Sequence, residues 1–321
     1  MRISLDEAIA KLKNGEVVAI PTETVYGLAA DATNEAALRQ IYAIKQRPAD
    51  NPLIVHIGHI NQVNDWAAEF SPLAQRLANA FWPGPFTLVL SAKDSVSRIV
   101  RAGEPTVALR VPSHPLALKL LQQSGLGLAA PSANKYTQLS PTTAAHVQTG
   151  LGKDLPILDG GACQVGIEST IVSVSGDDWQ LLRHGMICEA EIAAIAGKSA
   201  LINSVNLPKA PGQHLLHYSP QTPIKLFDSF EALSRYQQNS TQTCAVLLID
   251  DTQQNNQLAN EGLIIETVQL PKNPSIVAER LYGALHHLDT LNVAQLLVQL
   301  PPVTPEWLAV LDRLTRAAHH T

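Results

Sequence analysis

Two hydrophobic periods alternate along this chain, and that alternation restricts the fold more than any other feature. Residues 5–15, 34–48, 71–82, 114–125 and 141–152 carry apolar side chains at helical spacing. Between them lie short runs rich in Val, Ile, Leu and Thr: residues 17–20, 52–57, 86–90, 106–112, 127–130, 156–159 and 169–174. Runs of that length and content read as buried strands, and strands interleaved with helices imply an α/β sheet domain. Asn34 stands ready as an N-cap, Gly15 as a helix C-cap, and Pro48 as a stop. Residues 21–27 form a polar turn after the first strand.

The alternation pauses at residues 206–221, where Pro, His and Gln gather without a sustained period, and resumes beyond. Residues 224–228, 244–250, 263–270 and 294–300 read as strands, with helices at 275–291 and 305–318. The expected organisation is a mixed sheet domain over 1–205, a linker over 206–221, and a small Rossmann-like α/β/α domain over 222–321. With 45% apolar and 16% charged residues, there is material for two cores. No apolar run nears the roughly 20 residues needed to cross a bilayer, and no apolar leader opens the sequence. The three cysteines, Cys163, Cys188 and Cys244, are far apart and form no CxxC pair. A reduced, cytoplasmic setting without membrane fits them. The formal charge is -5, and residues 222–321 hold six basic against ten acidic side chains. Neither part is a basic nucleic-acid binder.

Polar residues concentrate where strands end, the usual place for α/β ligand sites. One group is Pro21-Thr22-Glu23-Thr24-Val25-Tyr26-Gly27. A second, at a helix C-terminus, holds Lys45, Arg47 and Asn51 just before a strand that contains His56. Helix polarity explains two cations there; a phosphate would want the same pair, a planar fork beside a point charge. The third is Ala130-Pro131-Ser132-Ala133-Asn134, able to aim a hydroxyl and an amide at one ligand or simply to close a turn. In the strand 106–112, period 2 puts Val107, Leu109 and Val111 on one face and Thr106, Ala108 and Arg110 on the other. Thr106 and Arg110 would stand roughly 13 Å apart at about 3.3 Å per residue. An arginine inside an apolar strand demands an anion, either a buried carboxylate or a bound one. Arg183 poses the same question.

Other patterns fail on context. Residues 125–130 match GxGxxA but lead into a strand where a dinucleotide fingerprint leads into a helix. Gly197-Lys198-Ser199 resembles the end of a P-loop, yet position 192 is Ile. The pairs His286-His287 and His319-His320 read as surface features, and HExxH and GxSxG are absent.

Eight stretches, in order, resemble the YrdC family in its long form: PTETVYGLAADA, KQRPADNPLIVHI, FWPGPFTLVL, VALRVPSHP, APSAN, QLSPT, DGGACQVGIESTIVSV and LLRHG. The family's K-x-R and S-x-N tetrad falls on Lys45, Arg47, Ser132 and Asn134, which the resemblance makes catalytic. It implies synthesis of threonylcarbamoyl-AMP from ATP with Mg²⁺, L-threonine and bicarbonate, for transfer to tRNA by downstream threonylcarbamoyl-transferase proteins. It also implies a YrdC-like twisted mixed sheet. Arg47, Asn51, Thr106, Ser132, Ser140, Arg183 and Tyr218 would contact ATP. Thr24, His56, Arg110, the Ala130 backbone and Ser169 would hold threonine, with Arg110 on its carboxylate. The linker would fold over the site and gate it, although Gln213-His214-Leu215-Leu216 replaces a more basic run of the relatives. The alternatives are carbamoyl-adenylate chemistry in hydrogenase maturation, a non-catalytic double-stranded-RNA or ribosome-assembly binder, and a threonine or nucleotide sensor. A weak RNA contact is compatible with the first reading.

Overall fold

The computed structural model describes residues 1–201, 208–212, 217–250, 258 and 263–319. Two compact units emerge: Met1–Tyr136 with Pro141–Gln213, and Thr137–Ser140 with His214–Thr321. Residues 213–216 and 320, singled out above, lie outside the described part, as does much of the expected linker.

The first unit is built on β1 (Arg2–Ile3), β2 (Val18–Ile20), β3 (Gly27–Asp31), β4 (Ile54–His56), β5 (Phe86–Ser91), β6 (Thr106–Arg110), β7 (Leu128–Ala129), β8 (Ile157–Leu158), β9 (Thr170–Ser175) and β10 (Asp178–Arg183). They join in the order β1-β8-β2-β3-β7-β4-β6-β5-β9-β10, with parallel and antiparallel pairs mixed. Around this sheet run α1 (Leu5–Lys13), α2 (Glu35–Lys45), α3 (Val63–Trp66), α4 (Pro72–Phe81), α5 (Arg98–Arg101), α6 (Pro115–Ser124), α7 (Ala144–Leu151) and α8 (Glu189–Ala196). Local chemistry sets several ends. Ser4 and Glu7 close a capping box on α1, and Gly15 follows its end at φ 77°. On α2 the Asn34 side chain accepts from the Ala36 and Ala37 amides, and left-handed Gln46 ends the helix before Pro48. In β6, Val107 and Leu109, with Val111 just beyond, enter the main core, while Ala108 faces a separate cluster with Ile54 and Ile171. The period-2 reading of that strand holds.

Strand β3 was not foreseeable from propensity. Its sequence GLAAD is poor in β-formers. It forms because β2 and β7 pair with it antiparallel on either side, with Leu28, Ala29 and Ala30 fully buried.

The second unit carries β11 (Ile224–Phe227), β12 (Cys244–Ile249), β13 (Ile264–Leu270) and β14 (Gln295–Gln299), all parallel, in the order β11-β14-β12-β13. Parallel neighbours need long crossovers. The structure supplies α9 (Phe230–Gln238), α10 (Pro274–Asp289) and α11 (Leu308–Ala317). Helix α9, capped by Ser229 and burying Phe230 and Leu233, adds to the two expected helices. The Rossmann-like expectation agrees with this small parallel sheet. Among the described residues no helix is long and apolar enough to cross a membrane.

Candidate functional site

The turn after β2 is shaped by Thr22. Its hydroxyl accepts from the Thr24 and Val25 amides at 3.2 Å and donates to Val25 O at 2.6 Å. That self-bonded turn aims Glu23 and Thr24 inward, where they are 3% and 1% exposed. Arg110 at the end of β6 meets them. Its Nη1 donates to Thr24 Oγ1 at 2.9 Å, its Nε to Gly84 O at 3.1 Å, and its Nη2 lies 2.7 Å from Glu23 Oε1. Of the two anions allowed by the sequence, the resident one is thus a buried carboxylate, Glu23. Burial, the largest influence, pushes the Glu23 carboxyl upward, but the Arg110 charge and hydrogen bond, together with the backbone N–H groups of Glu23 and Ser113, bring it below the usual carboxylate value. His56 stands in register with Arg110 across the β4–β6 pair. Its Nδ1 is buried without a hydrogen-bond partner. Burial, aided by the Arg110 charge, brings its pKa down to about 3, so the ring is neutral. Cys163 is also buried nearby; burial and then the Glu23 charge push its thiol up to about 12, which makes it a poor nucleophile.

A second cluster joins two motifs far apart in sequence. Lys45, fully within the protein at the end of α2, donates from Nζ to Ser132 O at 2.5 Å and Asn134 O at 2.7 Å. Burial and then the neighbouring Arg47 charge hold its pKa well below the usual lysine value. Lys45 therefore fastens the S-x-N loop by its carbonyls. Arg47 is half-buried, with Nη2 donating to Pro52 O at 3.2 Å. Asn51 accepts the Tyr42 hydroxyl at its carbonyl, and its amide donates to Asp50.

A third cluster forms where β9 and β10 meet. Arg183 donates from Nε to Ser169 O and from Nη2 to Ser169 Oγ, both at 3.1 Å, and from Nη1 to Pro211 O at 3.0 Å. Ser169 Oγ also lies 2.8 Å from Thr87 Oγ1. Backbone and hydroxyl oxygens thus satisfy this second buried arginine. Ala130 donates its amide to Ile54 O at 3.1 Å, and Thr106 pairs with Ser91 at the far end of β6 from Arg110.

Ser140 and Tyr218 belong to the second unit. There Ser219 N donates to Thr137 O at 2.8 Å, and His286 Nε2 lies 3.1 Å from Ser140 O. Tyr218, left-handed at φ 62° and 1% exposed, packs with Tyr282 at 5.9 Å and under the Arg313 guanidinium at 5.0 Å. His286 is therefore no surface histidine: burial lowers its pKa, and its ring meets a backbone carbonyl. His287 is exposed beside Glu266, as expected. Sequence reasoning assigned no role to Glu23, Thr87 or His286. The prior signals were the polar turn that holds Glu23 and the anion demanded by Arg110, but a pairing 87 positions apart is invisible to local pattern.

Residues 10–185 match the Sua5/YciO/YrdC family model, described as telomere recombination, and residues 187–319 match that of the threonylcarbamoyl-AMP synthase C-terminal domain. The threonylcarbamoyl-AMP synthase of Bacillus subtilis strain 168 is 38% identical, covering 97% of this chain and 92% of its own. That of Pyrococcus abyssi is 36% identical over 96% of this chain and 92% of its own. The crystal structure of P. abyssi Sua5 complexed with L-threonine superposes with a TM-score of 0.87 at 33% identity, covering 99% of this chain and 96% of that one. Matched by both models and by relatives along nearly its whole length, the chain belongs to the Sua5/YciO/YrdC family, in the form that carries the additional C-terminal domain.

Proposed function

We propose that this chain is a nucleotidyltransferase that makes threonylcarbamoyl-AMP and pyrophosphate from L-threonine, bicarbonate and ATP, for modification of tRNA adenosine. The observation that carries this reading is the full-length likeness to proteins named threonylcarbamoyl-AMP synthase, together with the burial of the matched motif residues at shared contacts. The threonine amine takes up bicarbonate as a carbamate. A carbamate oxygen then attacks the α-phosphorus of ATP and expels pyrophosphate. The substrate itself is the nucleophile, so the protein must align the reactants and neutralise phosphate charge. The inert thiol of Cys163 accords with that division.

In this scheme Arg47, half-exposed, is the cation for the phosphates, while Lys45 fixes the loop that presents Ser132 and Asn134. Asn51, Thr106 and Arg183 complete the nucleotide contacts of the first unit. Thr24, His56, Arg110, Ser169 and the Ala130 backbone hold threonine. Mg²⁺ enters with ATP as part of the substrate. The catalytic part is 1–205, residues 206–221 are the linker, and 222–321 form a separate domain. The product passes to transferase proteins in the cytoplasm. A double-stranded-RNA binder is not favoured, because such binding rests on many phosphate contacts and the chain carries net charge -5.

Pyrophosphate release from ATP with Mg²⁺, with threonine or bicarbonate omitted in turn and the nucleotide product weighed by mass spectrometry, tests the reading. Release that needs both, with threonylcarbamoyl-AMP present, is expected. Folded protein that releases nothing overturns it.

A further inference from the structure

Around the Arg110 guanidinium the structure buries four polar atoms without a well-aligned hydrogen bond: both carboxylate oxygens of Glu23, Nδ1 of His56 and Nη2 of Arg110 itself; the Glu23 carboxylate also feels the backbone N–H groups of Glu23 and Ser113. Arg110 Nη2 approaches Glu23 Oε1 to 2.7 Å as an ion contact, without the alignment of a hydrogen bond. Leaving a buried polar atom unsatisfied destabilises the fold, so several at one place ask for a ligand that completes them. Its chemistry follows from the partners. A cationic fork and an anionic acceptor stand side by side, with the Thr24 hydroxyl already on the fork. A molecule with a carboxylate and an ammonium on one carbon matches that pair.

We propose that Glu23 receives the ammonium of the α-amino-acid substrate and takes the proton it must shed before it can attack bicarbonate, while Arg110 holds the substrate carboxylate. This deepens the function proposed above and rests on it. The step balances. From R–NH₃⁺, HCO₃⁻ and the Glu23 carboxylate come R–NH–COO⁻, water and protonated Glu23. A nitrogen–carbon bond forms and a carbon–hydroxyl bond breaks. One amine proton goes to Glu23, one leaves with the hydroxide as water, and one stays on nitrogen. Burial raises the proton affinity of the Glu23 carboxyl, while the Arg110 charge and hydrogen bond and the backbone N–H groups of Glu23 and Ser113 lower it. A substrate carboxylate on Arg110 offsets the Arg110 part of that lowering, which shifts Glu23 toward the stronger base.

The bland alternative is that Glu23 only steadies Arg110. Calorimetric binding of L-threonine and of 3-hydroxybutanoate, which keeps the carboxylate and hydroxyl but lacks the amine, separates the two in the full chain. Wild type should prefer threonine, and Glu23→Gln should lose about tenfold of that preference. Its kcat for pyrophosphate release should fall by about a hundredfold. Equal weakening of both ligands, or no change in either, overturns the proposal. If Glu23→Gln does not fold, Glu23→Asp carries the test. The acid limb of its kcat/KM for threonine should move, and an unmoved limb refutes the role. Failure of the wider reading looks different, since wild type itself would then release no pyrophosphate.

Discussion

Two buried bases, Lys45 and His56, make opposite demands on the fold. Lys45 satisfies two backbone carbonyls, so Lys45→Met should leave Ser132 O and Asn134 O short of a donor and cost about 1–3 kcal/mol. Arg47→Ala, at a half-exposed side chain, should cost about 1 kcal/mol or less and still remove most activity. Urea melts alongside pyrophosphate release check the contrast; equal destabilisation would end the distinction between a fastener and a phosphate ligand. His56 is held neutral. Its folded pKa of about 3 lies below the unfolded 6.5, so the unfolded chain binds the proton first. Its stabilisation is complete above about 6.5 and drains away as pH falls toward 3. Between pH 6 and 5 the stability of His56→Gln should therefore depend less steeply on pH than that of wild type, by about 1 kcal/mol per unit. Identical slopes would mean the imidazole is hydrated. The pairing of Glu23 with Arg110 was half legible: the sequence demanded an anion and could not name it.

Strands and loops in this protein are held by close backbone approach as much as by side chains. Gly185, just after β10, has no room for a methyl: an added Cβ would stand 2.3 Å from Thr170 N and 2.7 Å from Ser169 C. Gly185→Ala should force apart the start of β9 and the end of β10, destabilise the first unit by about 1–3 kcal/mol, and displace Ser169 from Arg183. A thermal melt together with the KM for threonine checks this; an unshifted melt would show that the strands can part freely. At this scale the sequence was legible where elements carry their own signals. Helices α1 and α2 announce their caps, and β6 its alternation. By contrast β3 is made by its neighbours, and α9 spans too few apolar positions to declare itself.

At the scale of the whole chain, Thr137–Ser140 leaves one unit for the other and returns. Its flanks are tied in the first unit, through Tyr136 N to Lys45 O at 2.8 Å and Tyr26 N to Pro141 O at 2.8 Å. Its centre takes its bonds from Ser219 and His286 in the second. A chain ended at residue 213 should lose those central bonds, so trypsin should cut after Lys135 faster than in the full chain, read by mass spectrometry of the fragments. Equal rates would mean that the segment holds itself. The sequence by itself determined the fold class, the order of most elements and the motif residues, because period, caps and spacing are local properties of a chain. Only the tertiary structure decided which charges meet. It put Lys45 on carbonyls, gave Arg110 a resident carboxylate and moved His286 indoors. Burial and charge pairing join residues dozens of positions apart, and no local pattern encodes such distances.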